Sequence, residues 1–132
     1  MKNQRKSNVL LIDDEPLVLE MFAYTLRAAG FRVKTAVSAE EGLHIFQRCK
    51  IDILVSDIRL GEFDGFDVAC AARRQNHTLP VVLITGFPSE EEQARAERWN
   101  FGYLSKPMIL GDLVRSVSRR MRIREGATQA AA

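Results

Sequence analysis

Polar residues follow four of the apolar segments in this sequence. They are two aspartates after the first segment, one after the third, a threonine after the fourth and a lysine after the fifth: Asp13, Asp14, Asp57, Thr85 and Lys106. Three carboxylates in one place repel one another, so they would require a cation. Mg²⁺ fits best, because it binds through one or two carboxylates plus water and phosphate oxygens, and no histidine or cysteine has a spacing that favours zinc.

Asp57 is the candidate nucleophile of this set. An aspartate with its ordinary pKa of about 4 is an anion at pH 7 and attacks phosphorus without a general base. Mg²⁺ and the Lys106 ammonium would spread the negative charge of the transferring phosphoryl group, and Thr85 would donate a hydrogen bond to one of its oxygens. The set predicts phosphoryl transfer onto an aspartate.

This chemistry depends on strands that end at one edge of a sheet. Apolar and β-branched runs predict five strands, at residues 7–12, 31–36, 51–58, 81–85 and 101–105. The run 51–58 is almost continuously apolar, which is typical of a strand buried on both faces of a parallel sheet.

Five predicted helices alternate with these strands. Pro16 and Gly30 mark the start and end of the first, and two capping-box patterns, Ser38 to Glu41 and Ser89 to Glu92, start the second and fourth. The third lies between the loop at 61–65 and residue 76. The last helix carries one apolar stripe, formed by Leu110, Leu113, Val114, Val117 and Met121.

The alternation predicts a doubly wound α/β domain, with a five-stranded parallel sheet and helices on both faces. We expect the flavodoxin-like strand order 2-1-3-4-5, which makes the first and third strands neighbours and brings the three aspartates together. A dinucleotide-binding domain would have a glycine-rich turn after the first strand, where this sequence has acidic residues. We assign residues 7–122 to the domain, 1–6 to an N-terminal arm and 123–132 to a C-terminal tail.

The composition is that of an ordinary globular protein. The 132 residues are 46% hydrophobic and 27% charged, which suits one ordinary globular core. No stretch approaches the roughly 18 apolar residues of a bilayer span, and the run at 9–12 is too short and too quickly acidic for a signal peptide. We expect a cytoplasmic protein without membrane contact, and buried free thiols at Cys49 and Cys70.

With these residues the chain resembles the receiver domains of two-component response regulators, including stand-alone chemotaxis regulators, over roughly residues 7–122. The matching segments are 10–16 (LLIDDEP), 54–59 (LVSDIR), 64–65 (DG), 84–86 (ITG) and 103–107 (YLSKP). As an ordered set they are specific, although each alone is weak.

The resemblance implies a phosphoprotein of a two-component or phosphorelay pathway. Asp57 would be the phosphoacceptor, and a sensor histidine kinase or a histidine phosphotransfer protein would be the donor. Mg²⁺ would be held by Asp13, Asp14, Asp57 and the backbone carbonyl of Arg59, and Lys106 would bind the phosphoryl group.

The resemblance also implies how phosphorylation is read out. Thr85 and Tyr103 would form a conformational switch, the Lys106–Pro107 peptide bond would be cis, and a downstream protein would bind the surface made by residues 89–122.

Two bulky residues lie where water must approach an aspartyl phosphate. In the family these positions are two residues after the phosphoacceptor and two after the threonine, here Arg59 and Phe87. Neither offers an acceptor that would orient an attacking water, so we expect slow self-dephosphorylation.

Three segments depart from the family pattern. Gly61-Glu62 replaces a frequent Pro-Gly, which predicts a flexible loop. The segment between Thr85 and Lys106 is about one residue shorter than usual, so the helix at 89–98 is expected to be short or mobile. Ile109-Leu110-Gly111 replaces a more polar start of the last helix. Apart from these departures, residues 126–132 are expected to fray.

Two other functions remain to be weighed. A phosphatase of the haloacid dehalogenase type also uses Asp, Thr, Lys and Mg²⁺, but it needs an acid two residues after the nucleophile, where this chain has Arg59, and a cap domain that this sequence lacks. We therefore expect no turnover of external substrate.

DNA binding through the last helix is the second alternative, since residues 108–132 hold five arginines against two acidic residues, a net charge of 5 − 2 = +3. We expect its apolar stripe to cover the sheet and no second helical module to accompany it, and therefore no direct DNA binding. A further alternative is that the chain is the receiver part of a larger DNA-binding regulator or hybrid kinase.

Overall fold

The computed structural model describes the backbone of residues 6–131 and the side chains of residues 6–124. Most of the expected arm at 1–6, and residue 132, lie outside the described residues. In chain order the elements are β1 (Asn8–Ile12), α1 (Pro16–Ala28), β2 (Arg32–Ala36), α2 (Ala39–Arg48), β3 (Ile53–Asp57), β4 (Arg59–Leu60), β5 (Phe63–Asp64), α3 (Gly65–Gln75), β6 (Val81–Thr85), α4 (Glu90–Trp99), β7 (Gly102–Ser105) and α5 (Leu110–Ala131).

Five parallel strands form the main sheet in the order β2-β1-β3-β6-β7. This is the predicted 2-1-3-4-5 order once the two-residue strands β4 and β5 are set apart, so the predicted fold class is confirmed. The register aligns the strand ends, since Ile12 lies opposite Ser56 and Thr85 opposite Ser105. The residues at the carboxyl ends of β1, β3, β6 and β7 therefore meet at one edge of the sheet.

Side chains alternate along the central strands between two apolar layers. Leu54 and Leu83 pack into the layer beneath α2, α3 and α4, whereas Val55 and Ile84 pack into the layer beneath α1 and α5. Every residue of β3 is buried, as its almost continuously apolar sequence predicted. Each fully buried Leu, Ile or Val contributes about 1.5–3 kcal/mol, so these two layers hold the sheet edge in place.

The last helix is longer than expected. Its apolar stripe packs into the second layer as predicted, with Leu113 and Val117 fully buried. The backbone is helical to Ala131, where fraying was expected. Arg124 Nη1 donates to the Asp52 carbonyl at 3.0 Å, and the Ala, Gln and Glu content beyond it favours helix despite Gly126.

The segment after β3 is an antiparallel hairpin, not the flexible loop that was expected. Arg59 lies opposite Asp64 and Leu60 opposite Phe63, and Gly61 has a φ of +65° at the turn. Glycine takes this left-handed conformation without strain, and buried Leu60 anchors the hairpin to the core.

Helix α4 is short, as expected, with ten residues of which Ala96 is the buried one. Both ends are closed, because the Ser89 Oγ accepts from the Glu92 N–H at 3.1 Å and Asn100 adopts the left-handed conformation. No helix among the described residues is long and apolar enough to span a bilayer.

Candidate functional site

Four carboxylates meet at the carboxyl edge of the sheet. Asp13, Asp14, Glu15 and Asp57 each contribute an oxygen atom, and these atoms lie within 4.8 Å of one another. Asp13 and Asp57 are only 2% and 6% exposed, whereas Asp14 and Glu15 face solvent. The cluster therefore has a buried floor and an open side. Glu15 was not among the predicted ligands, although its place directly after Asp14 was a usable signal.

Lys106 reaches this cluster from the end of β7. Its Nζ lies 3.2 Å from Asp13 Oδ2, 3.3 Å from Asp57 Oδ2 and 3.4 Å from Glu15 Oε1. One ammonium faces several carboxylates, so the charge is incompletely balanced. An oxygen-only donor set with surplus negative charge and an open side fits a hard divalent cation such as Mg²⁺.

Burial and neighbouring charges shift the titration of the central pair. Burial raises the pKa of Asp57 above its ordinary value; Lys106 opposes that shift, and Asp13 and Asp14 add to it. Burial alone would lower the pKa of Lys106, but the carboxylates of Asp57 and Asp13 outweigh burial and the net pKa is raised. Lys106 is therefore held in its charged form next to Asp57.

The chain beyond Asp57 is held in place by backbone contacts. The Ile58 N–H donates to the Ile84 carbonyl at 2.8 Å, and the Gly65 N–H donates to the Ile58 carbonyl at 2.6 Å. A Cβ on Gly65 would overlap the Asp57 carbonyl oxygen and lie 2.9 Å from Ile58 Cα. Only glycine lets α3 begin this close to the central carboxylate.

Arg59 and Phe87, each two residues beyond a residue at the sheet edge, contact each other. The Arg59 guanidinium carbon lies 4.5 Å from the centroid of the Phe87 ring, a cation–π geometry, and the ring is 65% exposed. Sequence reasoning placed both residues near the site but did not foresee that they stack on one another, since Arg59 lies in β4 and Phe87 follows β6.

Thr85 and Tyr103 lie on neighbouring strands. Thr85 is fully buried, its Oγ accepts from the Phe87 N–H at 3.0 Å, and its carbonyl accepts from the Lys106 N–H at 2.7 Å. Tyr103 lies opposite Leu83, two residues before Thr85, so both side chains project from the same face of the sheet.

The Tyr103 hydroxyl is engaged at the start of α4. It donates to Glu92 Oε1 at 3.0 Å and accepts from the Ser89 N–H at 3.2 Å. Burial raises the pKa of Tyr103, the Ser89 N–H opposes that shift, and the Glu92 carboxylate adds to it. Sequence reasoning did not single out Glu92 for this contact, because 11 positions separate it from Tyr103 along the chain.

The Lys106–Pro107 peptide bond is cis, as the resemblance implied. Cys70 is buried and Cys49 half-buried, and both are free thiols.

Some of the arginines of α5 are engaged within the domain. Arg120 Nη1 donates to the Asn100 carbonyl at 2.9 Å, Arg124 binds the Asp52 carbonyl, and Arg115 pairs with Asp112. The free basic surface of α5 is therefore smaller than its number of arginines would suggest.

Comparison with known proteins identifies the family. The response regulator receiver domain model matches residues 9–118. The chain is 31% identical over 107 residues to the transcriptional regulatory protein GlrR of Escherichia coli, which covers 80% of this chain and 24% of GlrR. It is 35% identical over 121 residues to the transcriptional regulatory protein PrrA of Mycobacterium leprae, covering 91% of this chain and 52% of PrrA. The chain thus spans about a quarter and about half of these curated relatives.

A solved structure agrees with both the fold and the sequence match. The response regulator receiver protein from Sinorhizobium medicae superimposes with a TM-score of 0.84 at 32% identity, covering 91% of this chain and 98% of that one. The edge carboxylates and the sequence segments that carried the resemblance lie within residues 9–118, which the family model matches. The chain belongs to the receiver domain family of response regulators, which are signalling domains of two-component systems.

Proposed function

We propose that this receiver accepts a phosphoryl group on Asp57 from a phosphohistidine of a sensor histidine kinase or a histidine phosphotransfer protein. The observation that carries the proposal is the environment of Asp57, a buried carboxylate at a sheet edge with the Lys106 Nζ 3.3 Å from its Oδ2. The clustered carboxylates beside it supply a cation site, and the open side gives a donor access to the carboxylate.

Mg²⁺ would be held by Asp13, Asp14 and Asp57, together with the backbone carbonyl of Arg59. Glu15 belongs to the same cluster and would orient a water of the ion, since Mg²⁺ usually keeps several waters. When bound, the ion would neutralise charge that develops on the transferring phosphoryl oxygens.

The proposed transfer is a single displacement at phosphorus. An Asp57 carboxylate oxygen forms the O–P bond as the P–N bond to the donor imidazole breaks, and the bonding electron pair stays on the imidazole nitrogen. The Lys106 ammonium already lies within hydrogen-bond distance of Asp57. Once the phosphoryl group is on Asp57, the ammonium would bind one of its oxygens. The Thr85 hydroxyl accepts from Phe87 through its oxygen, so its proton is available to donate to another phosphoryl oxygen.

Readout would follow from Thr85 and Tyr103. Thr85 is buried and projects from the same face of the sheet as Tyr103. If Thr85 turned toward the phosphoryl group it would leave a space on that face, and the Tyr103 side chain would fill it. Phosphorylation would thus change the relative populations of two packings that the domain can adopt. A downstream protein would recognise the change on the surface of residues 89–122, which includes α4, β7 and most of α5.

The lifetime of the modified state would depend on Arg59 and Phe87. Their stacked side chains lie in the segments that flank the approach of water to the phosphorus, and the guanidinium offers donors only. We propose that this pair slows self-dephosphorylation by excluding or failing to orient water.

Turnover of an external substrate and direct DNA binding are not part of this proposal. No acid lies two residues beyond Asp57, where Arg59 instead stacks on Phe87. On α5, Arg120 and Arg124 are used in contacts within the domain. The transcriptional regulators among the relatives are longer than this chain, so a receiver that acts within a larger regulator is equally compatible with the site.

Intact-mass measurement after treatment with acetyl phosphate and Mg²⁺ tests the proposal. The protein should gain one phosphoryl group, and the gain should be lost in Asp57→Asn or with a chelator. Asp67→Asn is the matched control, because Asp67 is an exposed aspartate on α3 and should not affect the gain. A gain that survives Asp57→Asn, or no gain in the unaltered protein, would contradict the proposal.

A further inference from the structure

The start of α4 contains a capping box that is closed through a tyrosine. In a capping box the N-cap serine accepts from the backbone N–H three residues on, and the glutamate there accepts from a backbone N–H at the helix start. The first half is present, since Ser89 Oγ accepts from the Glu92 N–H at 3.1 Å. In the second half the Tyr103 hydroxyl stands between the partners, accepting from the Ser89 N–H and donating to Glu92 Oε1.

Helix α2 has the same sequence signature and closes without a third residue. Ser38 Oγ accepts from the Glu41 N–H at 3.1 Å, and Glu41 Oε1 accepts directly from the Val37 N–H at 2.9 Å. The carboxylate three residues into a helix can therefore bind the backbone at the helix start in this protein. If Tyr103 withdrew, Glu92 would be free to do the same at α4.

We infer that Glu92 is a positioning residue for Tyr103, and that its carboxylate holds the hydroxyl at the start of α4 in the unmodified protein. We call the hydrogen bond between the Tyr103 hydroxyl and the Glu92 carboxylate the tether. Tyr103 is half-buried and packs its ring against the layer beneath α4, so the tether selects among positions of a side chain that already contacts the core. The proposal deepens the proposed function, on which it rests for the inward position that Tyr103 would take after phosphorylation. The tether itself belongs to the unmodified protein.

The tether would oppose activation. The hydrogen bond from Tyr103 to the Glu92 carboxylate stabilises the outward position of Tyr103, which is the position at the start of α4. A ligand that requires the inward position therefore binds more weakly, because only a fraction of the protein has Tyr103 in that position. Loss of Glu92 removes the acceptor of the Tyr103 hydroxyl. When Tyr103 turns inward in that variant, water binds the Ser89 N–H, because Ser89 is exposed. We expect Glu92→Ala to tighten binding of beryllofluoride, a phosphoryl mimic, by about fivefold in the presence of Mg²⁺.

A double-mutant cycle separates the tether from helix capping. Tyr103→Phe lacks the hydroxyl and should tighten beryllofluoride binding to a similar degree, and adding Glu92→Ala to it should then have no further effect. Glu92→Gln keeps an acceptor oxygen and should stay close to the unaltered protein. Glu91→Ala is the matched control, since it removes an equal charge from an exposed neighbouring position of α4. Equal effects of Glu92→Ala with and without the Tyr103 hydroxyl would overturn the inference.

A second measurement keeps the tether testable if the proposed function fails. Absence of beryllofluoride binding to the unaltered protein would count against phosphorylation and not against the tether. In the unmodified protein, Glu92→Ala should shift the Tyr103 ring resonances and the Ser89 amide resonance, whereas Glu91→Ala should not. Unchanged resonances in Glu92→Ala would show that the carboxylate does not hold the hydroxyl.

Discussion

Replacement of Lys106 by methionine should affect stability in a way that depends on Mg²⁺. The substitution keeps the apolar stem and removes the ammonium, which lies 3.2 Å from Asp13 and 3.3 Å from Asp57. Both carboxylates are at least nine-tenths buried at the side chain, whereas the third partner, Glu15, is 63% exposed and contributes little. Removing one partner of a buried pair costs about 3–5 kcal/mol. Since the Lys106 side chain is itself 20% exposed, we expect about 2–3 kcal/mol without metal.

Saturating Mg²⁺ should reduce that cost, because the ion and the ammonium compensate the same carboxylates. We expect the destabilisation to fall by about 1.4 kcal/mol, and reciprocity then requires Lys106→Met to bind Mg²⁺ about tenfold more tightly. Urea unfolding with chelator and with Mg²⁺ measures the difference. It can be followed through the emission of Trp99, which is the only tryptophan and stacks on Phe101.

Lys50→Met is the control for loss of a lysine, because Lys50 is exposed. It should change stability by less than about 0.5 kcal/mol in either buffer. An equal loss of stability in Lys106→Met with and without Mg²⁺, or weaker Mg²⁺ binding, would refute the charge argument.

Three further predictions follow from the site. Phosphorylated Arg59→Asn, Phe87→Glu protein should lose its phosphoryl group faster than the unaltered protein in a decay assay; equal or slower decay would mean that the stacked pair does not control access of water. Amide resonances mapped with beryllofluoride and Mg²⁺ should shift within residues 89–122, and shifts restricted to the edge carboxylates would count against the switch. Gly65→Ala should lower the free energy of unfolding by about 2 kcal/mol, because its Cβ meets backbone, whereas Gly86→Ala, which has open space, should change it by less than about 0.5 kcal/mol; similar values for the two would disprove the steric argument.

Where the fold agreed with expectation, the signal was local and repeated. The apolar run of β3 and the stripe of α5 each depend on side chains whose spacing matches one element, and burial then follows from that spacing. The hairpin after β3 was missed because its two strands have two residues each and carry no periodicity. The continuation of α5 was missed because Gly126 suggests an end, whereas backbone hydrogen bonding and the contact from Arg124 outweigh one glycine.

The sequence by itself determined which residues form the candidate site, because residue types and their places at the ends of apolar strands need no coordinates. Asp13, Asp14, Asp57 and Lys106 were assigned to one edge from strand order alone, and the structure places them there. Only the tertiary structure decided which side chains contact one another across loops and strands. The Arg59 stack on Phe87 and the Tyr103 bond to Glu92 join residues 28 and 11 positions apart, and both depend on how separate elements are placed in space, which a linear pattern does not encode. A hydrogen bond or cation–π contact forms within a few ångströms and a narrow range of angles, whereas the hydrophobic patterns that predict a fold tolerate much larger displacements.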